Sequence, residues 1–145
     1  MAAYARGVDD TEQRRRVAEA RVARLATVGA DGRPHLVPIV FALVADVVWS
    51  AVDAKPKTTQ QLRRLANVEA TGRASLLVDS YDEDWRALWW VRVDGPAEVL
   101  PAADPRARDA VDALVDKYPQ YRAARPAGPV LAVTCETWRS WSATT

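Results

Sequence analysis

The chain has 145 residues, 49% apolar and 27% charged, with a formal net charge of +1. That length suits a single domain with a real hydrophobic core, and the balanced charge offers no long-range field to draw in nucleic acid or an anionic membrane. One histidine and one cysteine exclude a multi-histidine metal site, a cysteine zinc site and an internal disulfide.

The opening MAAYARGVDDTEQRRR has no apolar segment behind its charges, so no secretory signal is expected. Asp9 or Asp10 can cap a helix through EQRRRVAEA, and residues 1–16 read as a helical extension of one domain spanning 1–145. Arg14 to Arg16 share one helix turn and read as a solvated face. Arg24 to Val28 predicts a strand and Asp31-Gly32 its turn. Pro34 to Ala45 is apolar at almost every position, which predicts a strand buried on both faces, broken at Pro38 by an edge or a bulge. The apolar run from Leu36 to Val48 is interrupted by Pro38 and Asp46 and is too short to cross a bilayer, so a cytoplasmic protein is expected. Val47 to Val52 completes a three-strand meander.

The segment from Trp49 to Leu65, WSAVDAKPKTTQQLRRL, runs from that strand through a basic loop into a helix capped by Thr58 or Thr59. Only three of the twenty basic residues are lysines, and Lys55 and Lys57 are two of them. Flexible point charges just before a helix join free backbone N–H groups and the positive end of the helix dipole, an arrangement suited to a phosphate. The alternative is a solvated basic loop opening a surface helix.

Beyond Asn67, GRASLLVDS predicts a strand, YDEDW an acidic loop and LWWVRV another strand. Trp89, Val91 and Val93 share one side of that strand; Leu88, Trp90 and Arg92 share the other. Only one side can face the core, so Trp90 beside Arg92 implies a partner surface, a bound ring or a rim packed under a loop. Gly95-Pro96 predicts a turn or bulge into AEVLP. Asp104-Pro105 opens a third helix with Val111, Leu114, Val115 and Tyr118 as its stripe, and Pro119 ends it. A polar connection, QYRAARPAG, then leads to a last strand, PVLAVTCETW, with Cys135 packed as a small hydrophobe. The sum is a mainly β, α+β fold: about six mostly antiparallel strands closing as a small barrel, with about three peripheral helices. No hydrolase, zincin, dinucleotide or Walker motif is present, so any demanding chemistry is expected from a cofactor.

The order ARLATVGADGRPHLVPIVFAL, VVWSAVDAKPKTTQQLRRLANVEATGRASLLVD and LWWVRVDGPAEVL resembles the pyridoxamine 5′-phosphate oxidase-like split β-barrel superfamily over roughly residues 17 to 145. Within it the chain resembles branch B of the actinobacterial flavin/deazaflavin oxidoreductases, the F420-dependent enzymes. The resemblance implies an FMN-binding split barrel that dimerises, with a cofactor in each groove between the subunits. It implies that Lys55, Lys57 and Thr58 hold the cofactor's phosphate. His35, Leu36, Val37 and Pro38 would lie along the ring system, and Trp49, Ser50, Ala51 and Val52 beneath the ribityl chain. Arg63 or Arg64 would meet the acidic tail, and Trp85, Arg86 and Trp90 would come from the second subunit, with Trp138 and Trp141 lining the pocket.

The expected activity is that of a coenzyme F420-dependent oxidoreductase, a reductase passing a hydride to a planar conjugated small molecule such as a quinone or tetrapyrrole. The alternatives are an FMN-dependent oxidoreductase of the same fold and a non-catalytic flavin- or haem-binding barrel. The RSWSATT end lacks the Arg and His residues with which pyridoxamine phosphate oxidases grip substrate phosphate, which argues against pyridoxal phosphate synthesis. No catalytic acid stands out; Arg86 or a bound water is the candidate proton donor. No metal, nucleic acid or membrane partner is expected.

Overall fold

The computed structural model of the chain describes residues 7–52 and 59–144, the side chains of 59–62 excepted. Asp9 caps α1 (Asp10–Glu19), its carboxylate accepting the Glu12 N–H at 2.9 Å. The chain then forms β1 (Ala23–Val28), β2 (Pro34–Ile39), β3 (Ala42–Val44) and β4 (Val47–Ala51). After α2 (Thr59–Thr71) come β5 (Arg73–Ser80), a 3₁₀ turn (Trp85–Ala87) and β6 (Trp89–Leu100). The helices α3 (Pro105–Lys117) and α4 (Pro119–Ala123) precede β7 (Val130–Thr134) and β8 (Thr137–Ser142). Asp104 caps α3 through the Arg106 N–H, and Pro105 occupies the first turn, where a missing N–H costs nothing. No helix among the described residues is long and apolar enough to cross a membrane.

The strands form one antiparallel sheet in the order β2-β1-β5-β6-β7-β4-β3, with β8 also paired to β6. Its two end strands, β2 and β3, are consecutive in the chain and separated only by Val40 and Phe41. The sheet must therefore curl until its ends meet, which makes it a split barrel. Phe41, Leu25, Leu76, Val78, Val91 and Val133 fill the interior at 2% exposure or less. A second apolar layer, with Leu100, Val111, Leu114 and Val130, lies between the sheet and α3. Burying side chains of this size contributes about 1.5–3 kcal/mol each before entropy is charged.

The long strand β6 makes the split. Its residues 89–96 pair with β5 along one edge, while the other edge is shared between β8 at 89–94 and β7 at 97–100. Of the turn or bulge expected at Gly95-Pro96, no turn forms: β6 keeps its register with β5 through both residues. Pro96 falls in the gap between the two ladders on that edge, so its missing N–H breaks no bond.

Among the described residues, eight strands replace the expected six or so, and four helices the expected three or so. PVLAVTCETW divides at Cys135-Glu136, where the Cys135 N–H donates to Asp46 O at 2.7 Å and the Glu136 N–H to Asp94 O at 3.1 Å; RSWSATT supplies most of β8. Burial pushes the Cys135 thiol up to about 11. QYRAARPAG carries α4 rather than a plain connection. α2 continues four residues past Asn67 because that side chain turns inward, Nδ2 donating to Thr27 Oγ1 at 3.1 Å, until Gly72 at φ +69° ends the helix.

Pro34 to Ala45 is neither one strand nor buried on both faces. It breaks at Val40-Phe41, whereas Pro38 stays in register opposite Arg24. Leu36 is 67% exposed on the outer face of β2, which ends the sheet order. β1 and β2 form a hairpin, but β3 and β4 sit at the far end of the sheet order, so the expected meander is divided in two.

The C-terminus of α3 is pinned to the β2–β3 bend. Tyr118 Oη bonds to Phe41 N and O and to Arg21 O at 3.0–3.1 Å, and Lys117 Nζ lies 4.1 Å from the centre of the Phe41 ring. Burial and the nearby Arg21 guanidinium lower the Lys117 ammonium from 10.5 to about 8. Between those values the unfolded chain binds the extra proton, so this group makes stability rise with pH. Cys135, raised from 9.0 to about 11, acts oppositely over part of the range. The stability of the wild type relative to Lys117→Met is therefore expected to increase between pH 8 and 10, in denaturant melts at matched salt.

Candidate functional site

Side-chain alternation divides the expected ring-binding segment of β2. His35 and Val37 turn toward the barrel interior and are half-buried; Leu36 and Pro38 stand on the exposed outer face. Among the described strands, β2 pairs with β1 alone and so ends the sheet. β4 differs, because both its edges are paired, to β3 and β7. Trp49 packs toward the α3 layer, Ser50 Oγ donates to Val40 O at 3.0 Å, and Ala51 and Val52 are buried. These four residues shape the sheet and present little open surface.

Lys55, Lys57 and Thr58 lie outside the described residues. The helix that follows them separates its two arginines. Arg63 is exposed and lines an open hollow of about 510 Å³ with Arg33, Asn67 and the Gly29–Asp31 turn. A Cβ at Gly29 would sit 2.9 Å from Asp31 Oδ1 and 3.0 Å from Asn67 Oδ1, so those side-chain ends would have to shift to admit one. Arg64 is half-buried on the side of α2 that faces Tyr121, and burial lowers its pKa. Arg63 is thus the more exposed of the two arginines.

A second hollow, of about 520 Å³, opens on the outer face of β5, β6 and β8. Trp90 lies beside Asp79 on one neighbour strand and Trp141 on the other, and Leu77 beside Arg92 makes the next row. Trp89 and Tyr81 close one end. Trp138 is not part of it: three residues before Trp141, it must face the opposite way, and it packs on the core with the Arg14 guanidinium 5.6 Å from its ring. Trp85 is 65% exposed on the 3₁₀ turn, its Nε1 donating to Tyr81 Oη at 3.4 Å.

Arg86 is held in a fork by Asp84, with Nε and Nη2 each 3.0 Å from a carboxylate oxygen. That pairing raises its pKa further, so Arg86 offers a fixed positive charge rather than a proton. Among the described residues, no group of three His, Cys, Asp or Glu side chains is placed to hold a metal ion.

The two hollows lie at opposite ends of the sheet. Trp90 is level with Asp79 of β5, whereas Ala26, already two residues short of the β1 end, is level with Ser75. Four residues of strand separate them, about 13 Å at 3.3 Å per residue. Leu77, Asp79, Ser80 and Arg33 were not anticipated as site residues. Their roles follow from strand register and from the β1–β2 turn approaching α2, neither of which leaves a local pattern. The alternating exposure of LWWVRV is the one local signal that pointed to the tryptophan face.

Comparison with known proteins agrees with this architecture. A curated relative, the 5a,11a-dehydrotetracycline/5a,11a-dehydrooxytetracycline reductase of Streptomyces rimosus, is 29% identical over 99 residues, which cover 67% of this chain and 68% of the relative. A conserved hypothetical protein of Mycobacterium tuberculosis superposes with a TM-score of 0.75 at 23% identity, covering 94% of this chain and 86% of that one. An FAD-binding protein of Mesorhizobium loti gives 0.73 at 21% identity, over 95% and 97% of the two chains. A heme binding protein of Mycobacterium smegmatis gives 0.70 at 21% identity, over 92% of this chain and 53% of that one. The pyridoxamine 5′-phosphate oxidase family profile matches residues 10–142, and with the split barrel described above this chain belongs to that family.

Proposed function

We propose that the protein is a coenzyme F420-dependent reductase, active as a cytoplasmic homodimer, that transfers a hydride to a planar conjugated small molecule. The observation that carries this reading is the open tryptophan hollow of about 520 Å³ on the outer face of β5, β6 and β8. Its volume and largely apolar walls fit a flat ring system, and the Arg33–Arg63 hollow beside the start of α2 fits an acidic tail. The reductase name of the Streptomyces relative supports an oxidoreductase at the coarse level.

Two subunits packed through that outer face bring the tryptophan hollow of one toward the β2–α2 end of the other, which a single chain keeps about 13 Å apart. In that arrangement Lys55, Lys57 and Thr58 bind phosphate and Arg63 the tail. Leu36 and Pro38 bound the ring by their side chains, and His35 and Val37 through their backbone. Trp85, Trp90 and Arg86 of the second subunit complete the walls. Bound deazaflavin supplies the hydride. The protein's own part is to hold two flat partners together and keep water out. The proton comes from water, because Arg86 is locked to Asp84 and cannot readily give one up.

FMN or FAD in place of F420 is the second reading, supported by neighbours described as FAD-binding proteins of Mesorhizobium loti and Mycobacterium smegmatis. A paired titration of apo-protein with F420 and FMN, followed by tryptophan and cofactor fluorescence, separates the two. Tight F420 and weak FMN binding is expected. The reverse preference selects the flavin, and binding of neither overturns the oxidoreductase.

A further inference from the structure

A third hollow, of about 330 Å³, adjoins the tryptophan hollow and shares Asp79, Ser80 and Trp89 with it. Its wall comes from the last turn of α1, the α1–β1 connection and the start of β1, and it carries Arg15, Arg16, Arg21 and Arg24 against Glu19 and Asp79. The two carboxylates are already matched: Arg15 binds Glu19 at 2.7 Å, and Arg24 binds Asp79 at 3.1 Å. Arg16 is different. Its Nε bonds to Glu12 at 2.9 Å and its guanidinium lies 4.7 Å from the centre of the Trp89 ring, yet Nη1 is buried with no hydrogen-bond partner among the described residues. Arg21 makes no ion pair among the described residues and spends one donor, at 3.0 Å, on Lys117 O. The cleft therefore holds unspent guanidinium donors beside an aromatic platform, and a buried donor without an acceptor is unfavourable.

We infer that this cleft is a carboxylate subsite and that the molecule bound in the adjoining tryptophan hollow is a planar acid. The ring system lies against Trp90 and Trp141, and its carboxylate passes Trp89 to meet Arg16 Nη1 and Arg21. Arg16 is held in place by stacking on Trp89 and by Glu12, whose own pKa is lowered to about 2, so the pair persists through neutral pH. As an assignment of substrate class this rests on the reductase reading; as a binding site it stands without it.

The test uses apo-protein, anthracene carboxylate and its neutral carboxamide, with tryptophan quenching as the readout. The wild type is expected to prefer the carboxylate by about 10-fold or more, as a charged hydrogen bond implies. Salt weakens that preference. Arg16→Gln and, separately, Arg21→Gln reduce it to about twofold and leave carboxamide affinity unchanged, which also shows that the hollow remains folded. Trp141→Ala weakens both probes alike. Equal affinity of the wild type for the two probes, binding of neither, or arginine variants that weaken both equally would overturn the inference. Selective binding of the carboxylate by a protein that takes up neither F420 nor FMN would keep the subsite and remove the reductase.

Discussion

Replacing Lys55 and Lys57 together by alanine is expected to weaken cofactor binding by roughly 100- to 10,000-fold and to leave the fold intact. Two charge-assisted hydrogen bonds to a phosphate contribute about 1.5–3 kcal/mol each, and 1.4 kcal/mol is tenfold in affinity. The same lysines precede the N-terminus of α2, where positive charge opposes the helix dipole. Their removal should therefore leave thermal stability unchanged or slightly raised. Cofactor titration and a melting curve on the one variant separate the two effects. Affinity within about threefold of the wild type would place the phosphate elsewhere, with the Arg33–Arg63 hollow as the next site to test.

Gly95→Ala is the second large effect, on stability. A Cβ at Gly95 would lie 1.7 Å from Thr134 O and 3.2 Å from Glu136 N. Both atoms are backbone at the end of β7, so no side-chain rotation relieves the overlap. Separating them breaks the crossing where β6 leaves β8 for β7, including the bond from Glu136 N–H to Asp94 O. Overpacking against soft neighbours costs about 1–3 kcal/mol, and a rigid backbone should take the cost to about 3 kcal/mol or above. In a domain of this size that lowers the melting temperature by roughly 6–12 °C. Gly128→Ala is the control: its Cβ would meet Val52 O at 3.4 Å, an ordinary contact, and should shift the melt little. A Gly95→Ala protein that melts with the wild type would show that the β7 end yields more readily than its ladder implies.

Local chemistry was enough for the parts of this molecule that obey local rules. Asp9 and Asp104 were legible as caps, Asp31-Gly32 as a turn, and VLAVT and RASLLVDS as strands, because capping, turn formation and alternation act within a few residues. The outward-facing, half-buried Trp90 on β6 was legible for the same reason, since only one face of LWWVRV can be core. Burial of Pro34 to Ala45 was misjudged because an apolar run reports what a segment tolerates, not what covers it. Whether Leu36 meets a neighbour depends on β2 ending the sheet.

The amino-acid sequence by itself determined most of the elements, the caps of α1 and α3, the barrel class and the basic segment before α2. Tertiary structure alone decided which arginine of the Arg63–Arg64 pair faces outward, that Trp141 rather than Trp138 joins Trp90, and that Arg16 stacks on Trp89 at the mouth of a second cleft. Each of those depends on register between strands or helices far apart in the chain, such as Trp90 opposite Trp141. Register is set by the packing of the whole barrel, and no local window of residues encodes it.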